Sequence, residues 1–376
     1  MNDAIDRLRL ARSEGVGPVT YRRLLSRYGS PAAALEALPR LAQAGGKATA
    51  PTVPGPSVAK QEIEQLERLG GHLLFVDTPG YPPLLALLDD APPALSLLGD
   101  PALLAQRAVA LVGSRNASAN GQRIAEALAA ELAEAGIAVV SGLARGIDTA
   151  AHRGALRTGA TIACVAGGAD IPYPPENAAL QARIISGGAV LAEMPLGTAP
   201  LARHFPRRNR VIAGLSLGVV VVEAAPRSGS LITARLAQEA GRELFAVPGS
   251  PLDPRCRGSN GLIREGAHLT ETAADVLDNL PDHPLREGIL RAPLFARGPA
   301  PEPAAEPQPE YLESSDEPAI RAQLLDLLGP SPIAIDDLMR RCRFPPAAIN
   351  AVLLDLEIAG RVETLPGGRV ALLGEQ

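Results

Sequence analysis

Along the middle of the chain, short apolar runs alternate with stretches of helical spacing. The runs are Ala108–Val112, Ile137–Val140, Thr161–Val165, Ala189–Leu191, Gly218–Val222 and Leu244–Val247. None of them alternates apolar with polar residues. A strand that is apolar on both sides is covered on both faces, as in a parallel sheet between helices. Helices are expected at Gln122–Ala135, Asp148–Leu156 and Ser230–Ala240, and Leu73–Val76 and Leu95–Leu98 are candidates to extend the sheet. The pattern predicts an α/β domain over residues 60–285, built on a Rossmann-like, doubly wound parallel sheet.

The flanks differ. In residues 1–50, Leu8, Leu10, Val16, Tyr21, Leu24 and Leu25 recur at roughly helical spacing around Gly15-Val16-Gly17-Pro18. Such a glycine-bracketed hairpin either points backbone amides at a phosphate or simply packs two short helices, and no lysine adjoins it here. Residues 44–57 are rich in Gly, Pro, Thr and Ala and read as a linker. Residues 292–317 carry prolines and acids with few large apolar residues, which predicts a second, extended linker. From 318 to 376 the chain becomes compact again. Helices at 320–328, 335–342 and 346–359 precede strands at 361–365 and 369–372, joined by Pro366-Gly367-Gly368, in the manner of a winged helix.

The chain has 376 residues, 46% hydrophobic and 20% charged, enough apolar content for a folded core. Uncharged runs such as Val211–Val222 reach only 12 residues, against about 20 for a membrane span. Met1–Leu10 mixes charge with apolar residues, so neither a membrane segment nor a signal peptide is expected. Cys164, Cys256 and Cys342 lie far apart without CxxC spacing, which suits a reducing cytoplasm and excludes a cysteine zinc site. Of the 36 basic residues only Lys47 and Lys60 are lysine, and neither stands in a GxxxxGK[ST] loop, so a P-loop ATPase is excluded. Net charge is −5, yet Met194–Val222 contains no acid and holds Arg203, Arg207, Arg208 and Arg210. A polyanion responds to that local field more than to the global sum.

Glycine-bearing loops follow most of the strands: Gly113-Ser114-Arg115, Ser141-Gly142 through Arg145 to Asp148, Gly167-Gly168, Ser228-Gly229-Ser230, and Pro248-Gly249-Ser250. In a parallel sheet these loops share the carboxyl edge, where ligands bind. Glycine allows a close approach to an anion, and the following helix N-terminus supplies amides and a positive dipole. A phosphate-bearing ligand is expected. It is not a dinucleotide, because Gly113 starts no GxGxxG. Instead, Phe205-Pro206-Arg207-Arg208-Asn209-Arg210, with a helix expected from about Arg208, sets an aromatic ring beside arginines, the makings of a single-strand platform. The plain alternative for Phe205 is a core residue. The five histidines are scattered, so no metal or cofactor is expected. Ser141, Ser228 and Ser230 have no recognisable histidine partner. Asp148 and Glu193 are possible acid–base groups, although Asp148 fits better as a tether for the loop holding Arg145.

Six motifs in order, GSR at 113–115, SGLARGID at 141–148, FPRRNR at 205–210, SGSLITA at 228–234, VPGS at 247–250 and GSNGLIREGA at 258–267, resemble the DprA (Smf) family of DNA-processing proteins. The resemblance spans residues 1 to about 280 and extends to the C-terminal domain. It implies a SAM-like or helix-hairpin-helix N-terminal domain, an extended Rossmann fold and a winged helix. It implies a homodimeric, non-enzymatic recombination mediator that binds and protects incoming single-stranded DNA in natural transformation and loads RecA. By motif, Gly113, Ser114 and Arg115 hold phosphate, Phe205, Arg207, Asn209 and Arg210 line the groove, and Ser228, Gly229 and Ser230 close it. Ser141, Gly142 and Arg145 join the same rim. Arg203 stands near the place where the family often carries lysine.

A competing class is a nucleotide-processing enzyme resembling the cytokinin-activating phosphoribohydrolases. Their glycine loop is followed by a catalytic glutamate, whereas here no acid follows Ser228–Thr233 until Glu239. A third is a pure adaptor whose rim glycines only shape turns. In the winged helix, the third helix has no lysine or arginine but has Asp355 and Glu357, and the wing offers only Arg369. That favours a protein contact over a DNA contact, with Arg340, Arg341 and Arg343 weighing the other way.

Overall fold

The structure is a computed structural model and describes residues 2–47, 49–281, 317–365 and 367–373. In chain order it begins with α1 (Asn2–Ala11), α2 (Pro18–Tyr28), α3 (Pro31–Ala44) and α4 (Pro56–Arg68). There follow β1 (His72–Phe75), α5 (Pro83–Ala86), β2 (Ala94–Gly99), β3 (Ala108–Gly113), α6 (Ala119–Glu134), β4 (Ala138–Ser141), α7 (Ile147–Thr158) and β5 (Thr161–Val165). Then come α8 (Ala178–Gly187), β6 (Ala189–Ala192), α9 (His204–Leu215), β7 (Gly218–Val222), α10 (Gly229–Glu239), β8 (Glu243–Ala246), α11 (Arg257–Arg264), β9 (His268–Leu269) and α12 (Ala273–Leu277). The C-terminal part holds α13 (Glu317–Leu327), β10 (Ile333–Ala334), α14 (Ile335–Arg341), α15 (Pro346–Ile358), β11 (Val362–Leu365) and β12 (Arg369–Leu372). Among the described residues the chain forms two compact units, one within 61–281 and one within 2–60 together with 317–373.

In the larger unit, the described residues form one nine-stranded sheet in the order β1-β2-β6-β5-β4-β3-β7-β8-β9. The strands from β6 to β9 are parallel. The two early runs do extend the sheet, but β1 and β2 run antiparallel to each other and β2 to β6. Continuous apolar runs become fully buried strands because helices cover both faces. On one side Leu128, Leu132 and Ile147 pack on Val109, Val139, Val220 and Phe245. On the other, Leu180 and Ile184 pack on Ala163, Val165 and Val190. β9, two residues long, was too short to stand out in the apolar pattern.

The smaller unit joins both flanks. The first three helices enclose Leu8, Leu10, Tyr21, Leu24 and Leu38. The stretch expected as a first linker is tied to the glycine hairpin: Glu14 accepts from the Thr52 amide at 3.0 Å and pairs with Lys47 at 2.7 Å. These bonds hold the Glu14 carboxyl down at about 2. The winged helix has its three helices and wing strands close to the expected bounds, with β10 added to the edge of β12. The expected second linker, 292–317, lies outside the described residues except for Glu317.

One buried group in the larger unit has a consequence for pH. His152 on α7 is fully buried, and its Nδ1 lies 2.7 Å from Thr161 Oγ1, which itself donates to the Val139 carbonyl. The imidazole proton therefore belongs on Nδ1. Burial, and then the nearby Arg208 charge, push its pKa down to about 3. Because the folded-state value lies below the ordinary 6.5, the stabilisation is complete above about pH 6.5 and is lost as pH falls toward 3, by up to about 1.4 kcal/mol per pH unit. Urea midpoints measured between pH 4 and 7 are expected to fall toward acid, and His152→Gln is expected to flatten that limb. An unchanged slope in the variant would contradict this.

Candidate nucleic-acid interface

All the parallel strands end on one edge. Strand order reverses at β3, with β4, β5 and β6 on one side and β7, β8 and β9 on the other. The loops after β3 and β7 diverge there and leave a crevice, as expected at a switch point. The cleft measures about 530 Å3 and draws on four segments: 112–116 after β3, Ala144 and Asp148 at the head of α7, one face of α9, and residues 225–230 with Ile232 and Thr233 after β7. Gly113 is needed where β3 meets β7, because a Cβ there would overlap the Val222 carbonyl oxygen and Ile147. Glu223, at the end of β7, accepts from the Ser118 amide at 2.8 Å and from the Ser118 hydroxyl, which pins the β3 loop to β7.

α9 begins at His204, four residues before the start expected from sequence, so Phe205 lies in its first turn. The helical repeat then puts Phe205, Arg208, Asn209 and Ile212 on the cleft face. Arg208 is buried, and its Nη1 donates to the Gly142 carbonyl and, at 3.1 Å, to the Cys164 carbonyl. Burial lowers its pKa against the pull of Asp148. Asp148 is buried in turn, which pushes its carboxyl up, while Arg208 and the Ala144 amide pull it back. Above this pair lies Phe205, half-buried. The exposed Arg115 places its guanidinium carbon 4.9 Å from the Phe205 ring centroid, with Arg208 at 5.7 Å and Tyr173 meeting the ring edge-on at 5.9 Å. Neither Arg115 nor Arg227 forms an ion pair with an acid among the described residues.

The far wall is the N-terminus of α10. Ser228 caps it, accepting from the Ser230 amide at 3.3 Å, and the two hydroxyl oxygens are 2.7 Å apart. Asn209 Nδ2 reaches the Gly229 carbonyl at 3.4 Å and ties α9 to α10. Three rim residues that are not glycine, Leu143, Glu223 and Arg227, have φ of 56°, 52° and 68°. Each such conformation costs on the order of 1–3 kcal/mol and tends to mark a functional loop.

Of the candidate residues, Gly113, Ser114, Arg115, Phe205, Asn209, Ser228, Gly229 and Ser230 line the cleft. Ser141 does not: it is buried and donates to the Leu111 carbonyl at 2.6 Å. Gly142 is buried beneath the cleft, its carbonyl engaged by Arg208. Arg145 pairs with Glu176 on the surface, and Arg203 and Arg207 are exposed outside the lining. Arg210 corrects the expectation of a phosphate contact. Its Nη2 donates to Glu193 at 2.6 Å, and its Nη1 bonds the Asp90 carbonyl and lies 3.4 Å from the Asp90 carboxylate. Burial opposes its charge, but Glu193 and Asp90 outweigh burial and raise its pKa. Arg208, Arg227 and Asn116 line the cleft without having been singled out. For Arg208 the missed signal was the 3.6-residue repeat from Phe205. No group of three or more His, Cys, Asp or Glu suited to a metal occurs among the described residues.

The family profile described as DNA recombination-mediator protein A matches residues 72–281, and this range contains the whole cleft. Profiles for a DprA-like N-terminal helix-hairpin-helix domain and a DprA winged-helix domain match 1–64 and 299–368. The chain belongs to the DprA (Smf) family. Protein Smf of Escherichia coli is 39% identical over 316 residues, covering 82% of this chain and 79% of that one. DNA processing protein DprA of Streptococcus pneumoniae is 48% identical over 198 residues, 52% of this chain and 70% of that one. The X-ray structure of the pneumococcal protein superposes with a TM-score of 0.63 at 35% identity, over 75% of this chain and 99% of the other. A Helicobacter pylori DprA structure, described as giving insight into its single-stranded DNA binding mode, matches with a TM-score of 0.50 at 30% identity, over 55% of this chain and 94% of the other.

Arg210, on α9 but outside the cleft lining, has a structural role that can be tested by itself. Arg210→Ala leaves Glu193 and Asp90 facing each other without their cation, and breaking a buried pair costs about 3–5 kcal/mol. The expected outcome is a melting temperature lowered by several degrees. A melting temperature within a degree of the parent would mean that Arg210 does not hold the fold as its bonds indicate.

Proposed function

We propose that this protein is a non-enzymatic recombination mediator that binds single-stranded DNA in the switch-point cleft. The observation that carries the reading is the Arg115 guanidinium lying over Phe205 beside the first turn of α10. Strand phosphates find the side chains of Arg115 and Arg227 and the positive end of α10. A base finds apolar and aromatic surface at Phe205, with the exposed Tyr173 at its edge. Arg208 adds positive potential from below while keeping its own hydrogen bonds within the protein. These are binding interactions. The Ser228 and Ser230 hydroxyls lie 2.7 Å from each other at the head of α10. The only acid in α10 is Glu239 at its end, about 15 Å along the helix from the glycine turn, which speaks against the phosphoribohydrolase reading.

The finer parts of the proposal rest on the family resemblance: protection of incoming DNA in natural transformation, RecA loading, a homodimeric state and a cytoplasmic location. Among the described residues no helix is long and apolar enough to cross a membrane. RecA loading would be driven by binding alone, and its test is the rate of RecA assembly on single-stranded DNA with and without this protein. No acceleration would reduce the reading to DNA binding.

The DNA half is tested by salt titration. Arg115→Ala and Arg227→Ala are each expected to weaken binding for every sequence and to remove about 0.7 from the log–log salt slope. Phe205→Ala is expected to cost about 1–3 kcal/mol on a normal oligomer and much less on an abasic one. Because Arg115 rests on Phe205, the double variant should lose less than the sum of the single losses. Slopes unchanged by both arginine variants, or equal binding of normal and abasic strands by the parent protein, would overturn the cleft as the binding surface.

A further inference from the structure

A winged helix that reads DNA lays its third helix in the major groove. In this protein that helix, α15, is covered on two sides. Ala348, Ile349, Val352, Leu353 and Leu356 form its inward stripe and belong to the winged-helix core. Leu354, Asp355 and Ile358 lie outside that stripe, yet they are buried too. The N-terminal helices α2 and α3, in the same compact unit, pack against α15. The glycine hairpin meets the last turn of α15, where a Cβ on Gly15 would stand 3.0 Å from the Ile358 carbonyl oxygen. At the end of α3 the fit is tighter, and a Cβ on Gly45 would overlap the Asp355 carbonyl oxygen and the Ala359 side chain.

The charges along this seam are complementary. Arg23 on α2 lies 3.5 Å from Glu357, whose side chain is only 12% exposed. Asp355, 5% exposed, has one carboxylate oxygen without a hydrogen-bond partner. Arg27 of α2 and Arg321 of α13 pull on Asp355 and Glu317 of α13 opposes them, while burial pushes its carboxyl up to about 6. Burying two acids is unfavourable unless something opposite compensates them, and α2 supplies the arginines.

We propose that α15 is a docking helix for the N-terminal domain and masks the face by which that domain would meet nucleic acid. Asp355 and Glu357 stand where phosphates would stand against Arg23, Arg27 and the Gly15–Gly17 hairpin. The closed unit thus leaves DNA binding to the larger unit, and opening it uncovers a second, arginine-bearing phosphate face. The proposal is independent of the cleft in the larger unit.

The test wedges the seam in the full chain. Gly45 ends α3 at φ −71°, an ordinary conformation for any residue, so Gly45→Leu blocks docking without straining its own backbone. Glu357→Arg, which sets like charge against Arg23, is the second variant. Both are expected to raise amide exchange at least tenfold in residues 15–17 and 352–358 together. Both are also expected to steepen the salt dependence of single-strand binding by about 0.7–1.4, one or two added phosphates. The increment should persist in an Arg115→Ala background, which separates it from the cleft. Unchanged exchange in both variants would overturn the docking, and faster exchange with an unchanged salt slope would overturn the masking. Protection in the parent that varies with protein concentration would overturn the assignment to a single chain.

Discussion

The cleft depends on one buried cation. Arg208 extends from α9 to the carboxyl ends of β4 and β5, where its Nη1 donates to the carbonyls of Gly142 and Cys164. A buried guanidinium costs free energy unless its charge is balanced and its donors find acceptors. Here two strand-end carbonyls accept from Nη1 and the charge of Asp148 opposes that of Arg208, although Nε has no partner, and α9 sits across the sheet edge at one register. That register brings Phe205 to the surface of the cleft and gives Arg115 a ring to rest on. Gly142 lies beneath because a Cβ at that position would occupy the place of the guanidinium.

A protein of net charge −5 binds a polyanion best by keeping its cations local and its acids engaged. The acids nearest the cleft have structural duties. Glu223 is committed to Ser118, Glu193 and Asp90 to Arg210, and Asp148 faces Arg208 and the Ala144 amide. What remains at the rim is positive: Arg115, Arg227 and the first turn of α10. The positive φ of Leu143, Glu223 and Arg227 fits a rim whose shape is imposed by its surroundings rather than chosen by its loops.

In the smaller unit the same logic runs the other way. Acids on α15 and arginines on α2 face each other across a seam from which water is largely excluded, and two glycines let the backbones approach. Both modules are of kinds that elsewhere meet nucleic acid, and here the complementary charge of each is the other's partner.

The order of amino acids alone made legible the layered α/β core, the winged helix and the glycine loops after the strands. Burial on both faces forces continuous apolar runs, and tight turns force glycine, whatever lies further away. It also showed the absence of basic residues on the third helix of the winged helix. The direction of β1 and β2 depended on pairing to a distant strand, so a local run of apolar residues could not contain it. The arginines were the harder case. Arg207, Arg208 and Arg210 look alike in a polar stretch that hides the start of α9, and only the true start at His204 fixes which of them turn toward the cleft. Tertiary structure then decided the rest, because a guanidinium is a phosphate ligand, a buried pin or a salt-bridge partner according to which acids and carbonyls the fold brings within about 3 Å of it.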